Sequence, residues 1–211
     1  MGSRTFKIDK DPCDTGCNIY KKSKITINTG LTVLVGCNGI GKTTLIRTLQ
    51  EQLKKDKTPF ISFDNLSDGG ANARSMAGFR NDFTFLATAA WSSEGENIFM
   101  NMTRFAKQIT TFVQSNDGYV NEMWIFMDAV DSGYSVDNIE DVKNFIHLIL
   151  RDYGEKNNIY FIVSANEYEM ARNEQCFDVL RGKYRMFRSY DGYRKFILKT
   201  REEKNKREYD N

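Results

Sequence analysis

Nine consecutive residues carry the clearest chemistry in this chain. GCNGIGKTT, Gly36 to Thr44, fits the spacing G-x-x-x-x-G-K-[ST], directly after the apolar run Leu31 to Val35 and before a helical stretch. Glycines at these positions let backbone N–H groups turn inward around phosphate oxygens, and the start of the following helix adds its positive end. Lys42 then reaches the β- and γ-phosphates, and the Thr43 hydroxyl is placed to ligate Mg2+. A tight strand-to-helix turn that contains three glycines is the bland alternative, but strand, loop and helix signals agree on phosphate binding. Such a loop needs an acidic partner on a neighbouring strand to hold the metal. The unbroken apolar run MWIFM ends in Asp128, which supplies it; otherwise Asp128 is a strand-end residue capping the next turn.

Other chemistries are removed by count. The 211 residues include four cysteines and one histidine. Cys13 and Cys17 form a lone C-x-x-x-C while Cys37 and Cys176 lie in separate segments, so neither a zinc framework nor a disulfide scaffold is expected. His147, within the apolar stretch NFIHLIL, reads as a packed helix residue, which leaves no histidine for a catalytic triad. With 40% hydrophobic and 27% charged residues, 15 Phe, 10 Tyr and 2 Trp, the composition is that of a soluble globular domain. No apolar run approaches a membrane span and no secretion signal opens the chain, so a cytoplasmic protein without a membrane partner is expected. The net charge of +2 hides an asymmetry: Arg181 to Arg207 holds eleven basic residues against Asp191, Glu202 and Glu203, a local +8 that leaves the rest at −6. Interleaved with Tyr and Phe, this segment suits phosphate contacts and base stacking on DNA or RNA, or else is a solvated helix face with buried aromatics.

The elements that must position these residues alternate. Strand-like runs fall at 5–9, 24–28, 31–36, 60–64, 123–128 and 159–164, several of them continuously apolar as buried strands are. Helical spacing marks 41–55, 96–113 and 136–153. This order predicts an α/β domain with a mainly parallel sheet flanked by helices. CFDVLRGKYRMF reads as a hairpin around Arg181-Gly182, followed by a charged helix from about Ser189. With no internal repeat and no linker, residues 1–211 read as a single domain.

Three motifs together resemble a known family. GCNGIGKTT resembles the GxNGxGKST loop of the ABC-type P-loop ATPases, and DAVDSGYS resembles the Walker B and D-loop segment in the heads of structural-maintenance-of-chromosomes and DNA-repair ATPases. SSEGE, Ser92 to Glu96, looks like the ABC signature loop and lies between the two Walker motifs. It departs at Ser92, where the family has Leu, and at Glu94, where it has Gly; a Ser helix cap with Glu three residues on is the bland reading. The resemblance spans about residues 4 to 170. It implies ATP and Mg2+ as cofactors: Asn38, Gly39, Gly41, Lys42, Thr43 and Thr44 hold the phosphates, while Thr43 and Asp128 hold the metal. Ser93 and Gly95 would bind the γ-phosphate held by an opposite subunit, which implies an ATP-sandwiched homodimer. Only about 50 residues separate Lys42 from Ser92, too few for coiled-coil arms, so the chain looks most like the small armless ATPases of phages and mobile elements, a nucleotide-dependent switch for nucleic acid or an effector protein.

Departures from that family bear on mechanism. Position 129, where the family carries the glutamate that polarises the attacking water, is Ala129. Asp131, two residues on, is a substitute only if the loop is remodelled. Asn166 stands where a switch histidine is common, and cannot titrate near neutral pH. Losing a general base lowers turnover by roughly two to four orders of magnitude, so slow hydrolysis is expected, and an ATP-gated interaction module with little hydrolysis is the alternative. Asp64 or Asn65, after Phe63, falls where the family has its Q-loop glutamine; each is either a metal or water contact or a turn residue. Tyr20 and Phe6 are either an adenine platform or core.

Overall fold

A computed structural model describes residues 2–12, 18–64, 94–131 and 134–209. Two short strands, β1 (Ser3–Lys7) and β2 (Lys24–Asn28), pair antiparallel as a separate ribbon. The main sheet has six strands in the order β4 (Phe60–Asp64), β5 (Glu122–Asp128), β6 (Asn158–Ser164), β3 (Gly30–Val35), β7 (Cys176–Asp178) and β8 (Lys183–Arg185). The first five run parallel; β8 returns antiparallel to β7 through the turn at Gly182. The helices are α1 (Lys42–Lys55), α2 (Glu94–Asn116), α3 (Val136–Tyr153), the single turn α4 (Tyr168–Ala171) and α5 (Tyr190–Tyr209). The expected elements are present with ends shifted by a few residues, and α4 is an addition that periodicity over four residues could not disclose.

Burial on both faces explains why the strands are continuously apolar. In β5, Met123, Ile125 and Met127 face one layer with Phe105, Ile109 and Val113 of α2 and Ile139, Val142 and Ile146 of α3. Trp124 and Phe126 face the other, with Leu45, Leu49 and Leu53 of α1 and Phe6, Ile25 and Ile27 of the ribbon. Trp124 stacks on Tyr160 of β6 with ring centroids 4.0 Å apart, and Phe6 meets it edge-on at 5.2 Å. These contacts fix α1 to the sheet: each leucine is fully buried, and truncating one to alanine costs about 2–5 kcal/mol at such sites. His147 is a correction. In NFIHLIL the whole run is apolar apart from the histidine, so the pattern could not say which side faces in; Ile146 and Ile149 are buried, whereas His147 is exposed and bonds Glu174 at 2.9 Å.

Parallel pairing brings the C-terminal ends of β3, β4, β5 and β6 to one rim. Because β6 lies between β3 and β5, its end sits between the loop after β3 and Asp128. Asp64 lies beside Asp128 in register on the neighbouring strand. Cys37 and Cys176 are buried free thiols, and Cys13, Cys17 and Asn65 lie outside the described residues.

Candidate functional site

The loop after β3 is shaped by backbone that only glycine adopts without strain. Gly41, the residue before α1, sits at φ +101, and a Cβ there would come within 2.8 Å of Ile19 Cγ2. The same residue is held from its other side, where the Tyr20 hydroxyl donates to its carbonyl at 2.9 Å. That assigns Tyr20: it is buried beneath the loop, and Phe6 is buried against Trp124, so both are core and neither offers an exposed face to a base. Thr43 is exposed on the first turn of α1, and Asn38 and Gly39 are exposed at the loop tip.

Lys42 is almost fully buried and points back into the loop. Its ammonium donates to the Gly36 carbonyl at 2.9 Å and to Asn166 Oδ1 at 3.0 Å. Burial pulls its pKa below the ordinary lysine range, against the opposing pull of Asp131, Cys37 and Asp128. Both bonded partners are neutral oxygens, so phosphate oxygens can replace them without breaking an ion pair.

Asp128 is also buried, and its Oδ1 accepts the Ser164 hydroxyl at the end of β6. Ser164 Oγ in turn accepts the Ala129 N–H at 2.9 Å. Ala129 adopts φ +51, a left-handed conformation in a residue that has a Cβ. Asp131 is 3% exposed and turned inward: its Oδ2 accepts the N–H groups of Asn166 and Glu167, each at 2.6 Å. Its Oδ1 is buried with no partner among the described residues. Burial raises its pKa above the ordinary carboxylate value, opposed by those two N–H donors.

Asn166 is therefore a junction. Its N–H goes to Asp131, its side chain accepts from Lys42, and its carbonyl accepts the Tyr193 hydroxyl of α5 at 2.7 Å. The structure brings Lys42, Asp128, Asp131 and Asn166 to one place. Ser93 lies outside the described residues, and Gly95 falls in the first turn of α2. Sequence reasoning missed Ser164, whose only signal is a hydroxyl closing an apolar run, and Tyr193 and Thr200, which have no local signal at all. Thr200 Oγ1, fully buried, accepts the Cys37 N–H at 3.1 Å.

The residues present fit Mg·ATP. The inward lysine with neutral partners, an exposed hydroxyl at Thr43 and a buried carboxylate at Asp128 are a donor set suited to Mg2+, which keeps waters and phosphate oxygens among its ligands. Among the described residues, no helix is long and apolar enough to cross a membrane.

A family model described as an AAA domain matches residues 26–169. No curated protein matches the sequence. Among solved structures, a nucleotide-free ATP-binding cassette from an ABC transporter aligns over 93% of this chain and 94% of its own, at 15% identity and a TM-score of 0.51. The ADP conformation of MJ1267, an ATP-binding cassette of an ABC transporter, aligns over 94% of this chain and 97% of its own, at 13% identity and a TM-score of 0.51. The likeness at these identities is one of fold, the P-loop NTPase architecture of ABC cassettes.

Proposed function

This chain belongs to the AAA domain family, and from that premise we propose that it binds Mg·ATP on the loop Gly36–Thr44 and acts, as one domain, as a nucleotide-dependent switch with slow hydrolysis. The observation that carries the reading is Lys42, buried at the C-terminal rim of the sheet between the Gly36 carbonyl and Asn166, with Asp128 on the rim beside it. In this reading Thr43 and Asp128 hold the metal, and Asn38, Gly39, Gly41 and Thr44 contribute to the phosphate cradle. When bound, Mg2+ supplies positive charge that offsets the charge of the phosphates. Lys42 exchanges its two neutral partners for phosphate oxygens, and Asn166, released from Lys42, is positioned to contact phosphate or water. Titration with a fluorescent ATP analogue tests this: micromolar binding is expected, lost in Lys42→Ala, and binding that survives Lys42→Ala overturns it.

Slow turnover follows from two residues. Ala129 has no carboxylate, and Asp131, which we assign to orienting the water through Oδ1, is withheld from solvent with Oδ2 already taken. The same observation favours a second reading, an ATP-gated interaction module with little hydrolysis. Steady-state phosphate release separates them, since intact ATP binding without release selects the second. For the quaternary state we propose a homodimer closed by Ser93 and Gly95 over the partner's ATP. Light scattering should show an ATP-driven shift that Ser93→Arg abolishes; a normal shift in that variant refutes the sandwich. The partner we propose is nucleic acid, met by the outward charges of the Arg181–Arg207 segment, among them Lys183, Arg188, Arg194 and Lys199, all exposed. Binding to DNA or RNA should fall steeply with salt, and no affinity at low salt with or without ATP points to a protein effector instead.

A further inference from the structure

Four basic residues of the C-terminal segment do not face outward. Arg185 lies over the rings of Phe187 and Phe196, Arg181 pairs with Asp178 and Glu203, and Arg207 donates to the carbonyls of Asn18 and Ile19 at 2.8 and 2.7 Å. The fourth, Lys204, reaches the phosphate-binding loop itself: its ammonium is 3.5 Å from the Asn38 carbonyl and would lie 3.1 Å from a Cβ placed on Gly39. Arg201 is three residues earlier, on the same face of α5.

Between α5 and the loop lies a cavity of about 470 Å³, walled by residues 36–38 and Asn166 on one side and by Ile197, Arg201 and Lys204 on the other. No carboxylate lines it. The nearest acidic residue of the helix turn, Glu203, is held elsewhere by Lys21 at 2.9 Å and by Arg181. The helix cannot drift from this place without breaking buried bonds, because Thr200 takes the Cys37 N–H and Tyr193 donates to Asn166. A walled space with two cations, a bound lysine next door and no counter-charge calls for a multivalent anion.

We propose that α5 completes the nucleotide site from within the same chain, with Arg201 and Lys204 contacting the terminal phosphate of a nucleoside triphosphate. This rests on the ATP-binding reading above and adds which phosphate is recognised and by what. The N–H groups of the loop cradle the α- and β-phosphates, and the lysine extends to β and γ. The cavity opens beside Asn166, the far partner of Lys42, so the group that enters it is the one beyond the β-phosphate. The chain thereby distinguishes triphosphate from diphosphate before any second copy docks.

The test compares affinities for ADP and for a non-hydrolysable ATP analogue, at protein concentrations where light scattering shows monomer, in the wild type and in the double variant Arg201→Gln, Lys204→Gln. A charge-assisted hydrogen bond is worth enough that losing the pair should weaken triphosphate binding about tenfold or more, with ADP affinity within about twofold of wild type. Lys204→Arg, which keeps the cation, should retain most of the preference. The exposed pair Lys107→Gln, Lys156→Gln, with the same change in net charge, should leave the triphosphate to diphosphate ratio unchanged. An unchanged ratio in the Arg201, Lys204 variant, or an equal loss for both nucleotides, overturns the inference while leaving nucleotide binding standing. Failure of the wild type to bind either nucleotide overturns both.

Discussion

Ser164→Ala removes one oxygen that serves two neighbours. The hydroxyl donates to the buried carboxylate of Asp128 and accepts the Ala129 N–H, and Ser164 is itself 2% exposed, so water cannot replace it without entering the rim of the sheet. A hydrogen bond to a charged group contributes about 1.5–3 kcal/mol and a neutral one about 1. Partial relaxation makes the sum less than additive, and the expected loss is about 2–4 kcal/mol. For a chain of this size each kcal/mol moves the melting temperature by about 2–4 °C, so a fall of roughly 5–12 °C is expected by circular dichroism. The functional effect is separable, because Asp128 loses the partner that fixes its rotamer at the metal position. The gain in ATP affinity on adding Mg2+ should shrink in the variant, measured at a temperature where both proteins are folded. A melting temperature within about 2 °C of wild type refutes the energetic argument, and an undiminished Mg2+ dependence refutes the positioning role.

Asp131→Asn tests the buried carboxylate. The folded chain holds the Asp131 proton more tightly than the unfolded chain does, so its contribution favours folding at low pH and is lost as pH rises from the ordinary value of 3.8 through the raised folded value. Asparagine keeps an acceptor for the Asn166 and Glu167 N–H groups, and its stability relative to wild type should improve with rising pH in urea titrations; a difference independent of pH overturns this. Phosphate release should fall in the same variant, and unchanged turnover removes Asp131 as the group that orients the water. At position 129, Ala→Gly relieves a left-handed Cβ and should stabilise by up to about 1 kcal/mol in chemical denaturation. Ala129→Glu should raise turnover, and a rate no higher than wild type means that the missing carboxylate is not what slows the reaction.

How much of this was legible in the sequence depends on the range of the interaction involved. The loop at Gly36–Thr44 and the strand ending at Asp128 are written in contiguous residues, where strand, turn and helix signals reinforce one another, and both stand at the rim where they were expected. The hairpin at Gly182 was equally local. What escaped was set by partners far along the chain. Thr200 bonds Cys37 across 163 positions, and Lys204 meets Asn38 across 166; in sequence they are two more polar residues on a charged helix. The helix was read as either a solvated face or a nucleic-acid surface, and its inner face against the loop had no local mark. Tyr20 and Phe6 were open between platform and core because an aromatic beside a strand suits both until the packing is known.

Residues 18–20 join two places that look unrelated. Arg207 near the end of α5 binds the Asn18 and Ile19 carbonyls, Ile19 fills the space a side chain at Gly41 would need, and Tyr20 binds the Gly41 carbonyl. With Thr200 on Cys37, the loop and the helix share one closed set of contacts and open as one cooperative unit rather than fraying separately. Amide hydrogens along α5 would then exchange at a rate governed by the ligand on a loop they do not touch. At a ligand concentration a hundredfold above Kd, the shared opening becomes about 2.7 kcal/mol more costly, and solvent exchange along the far helix slows by about a hundredfold.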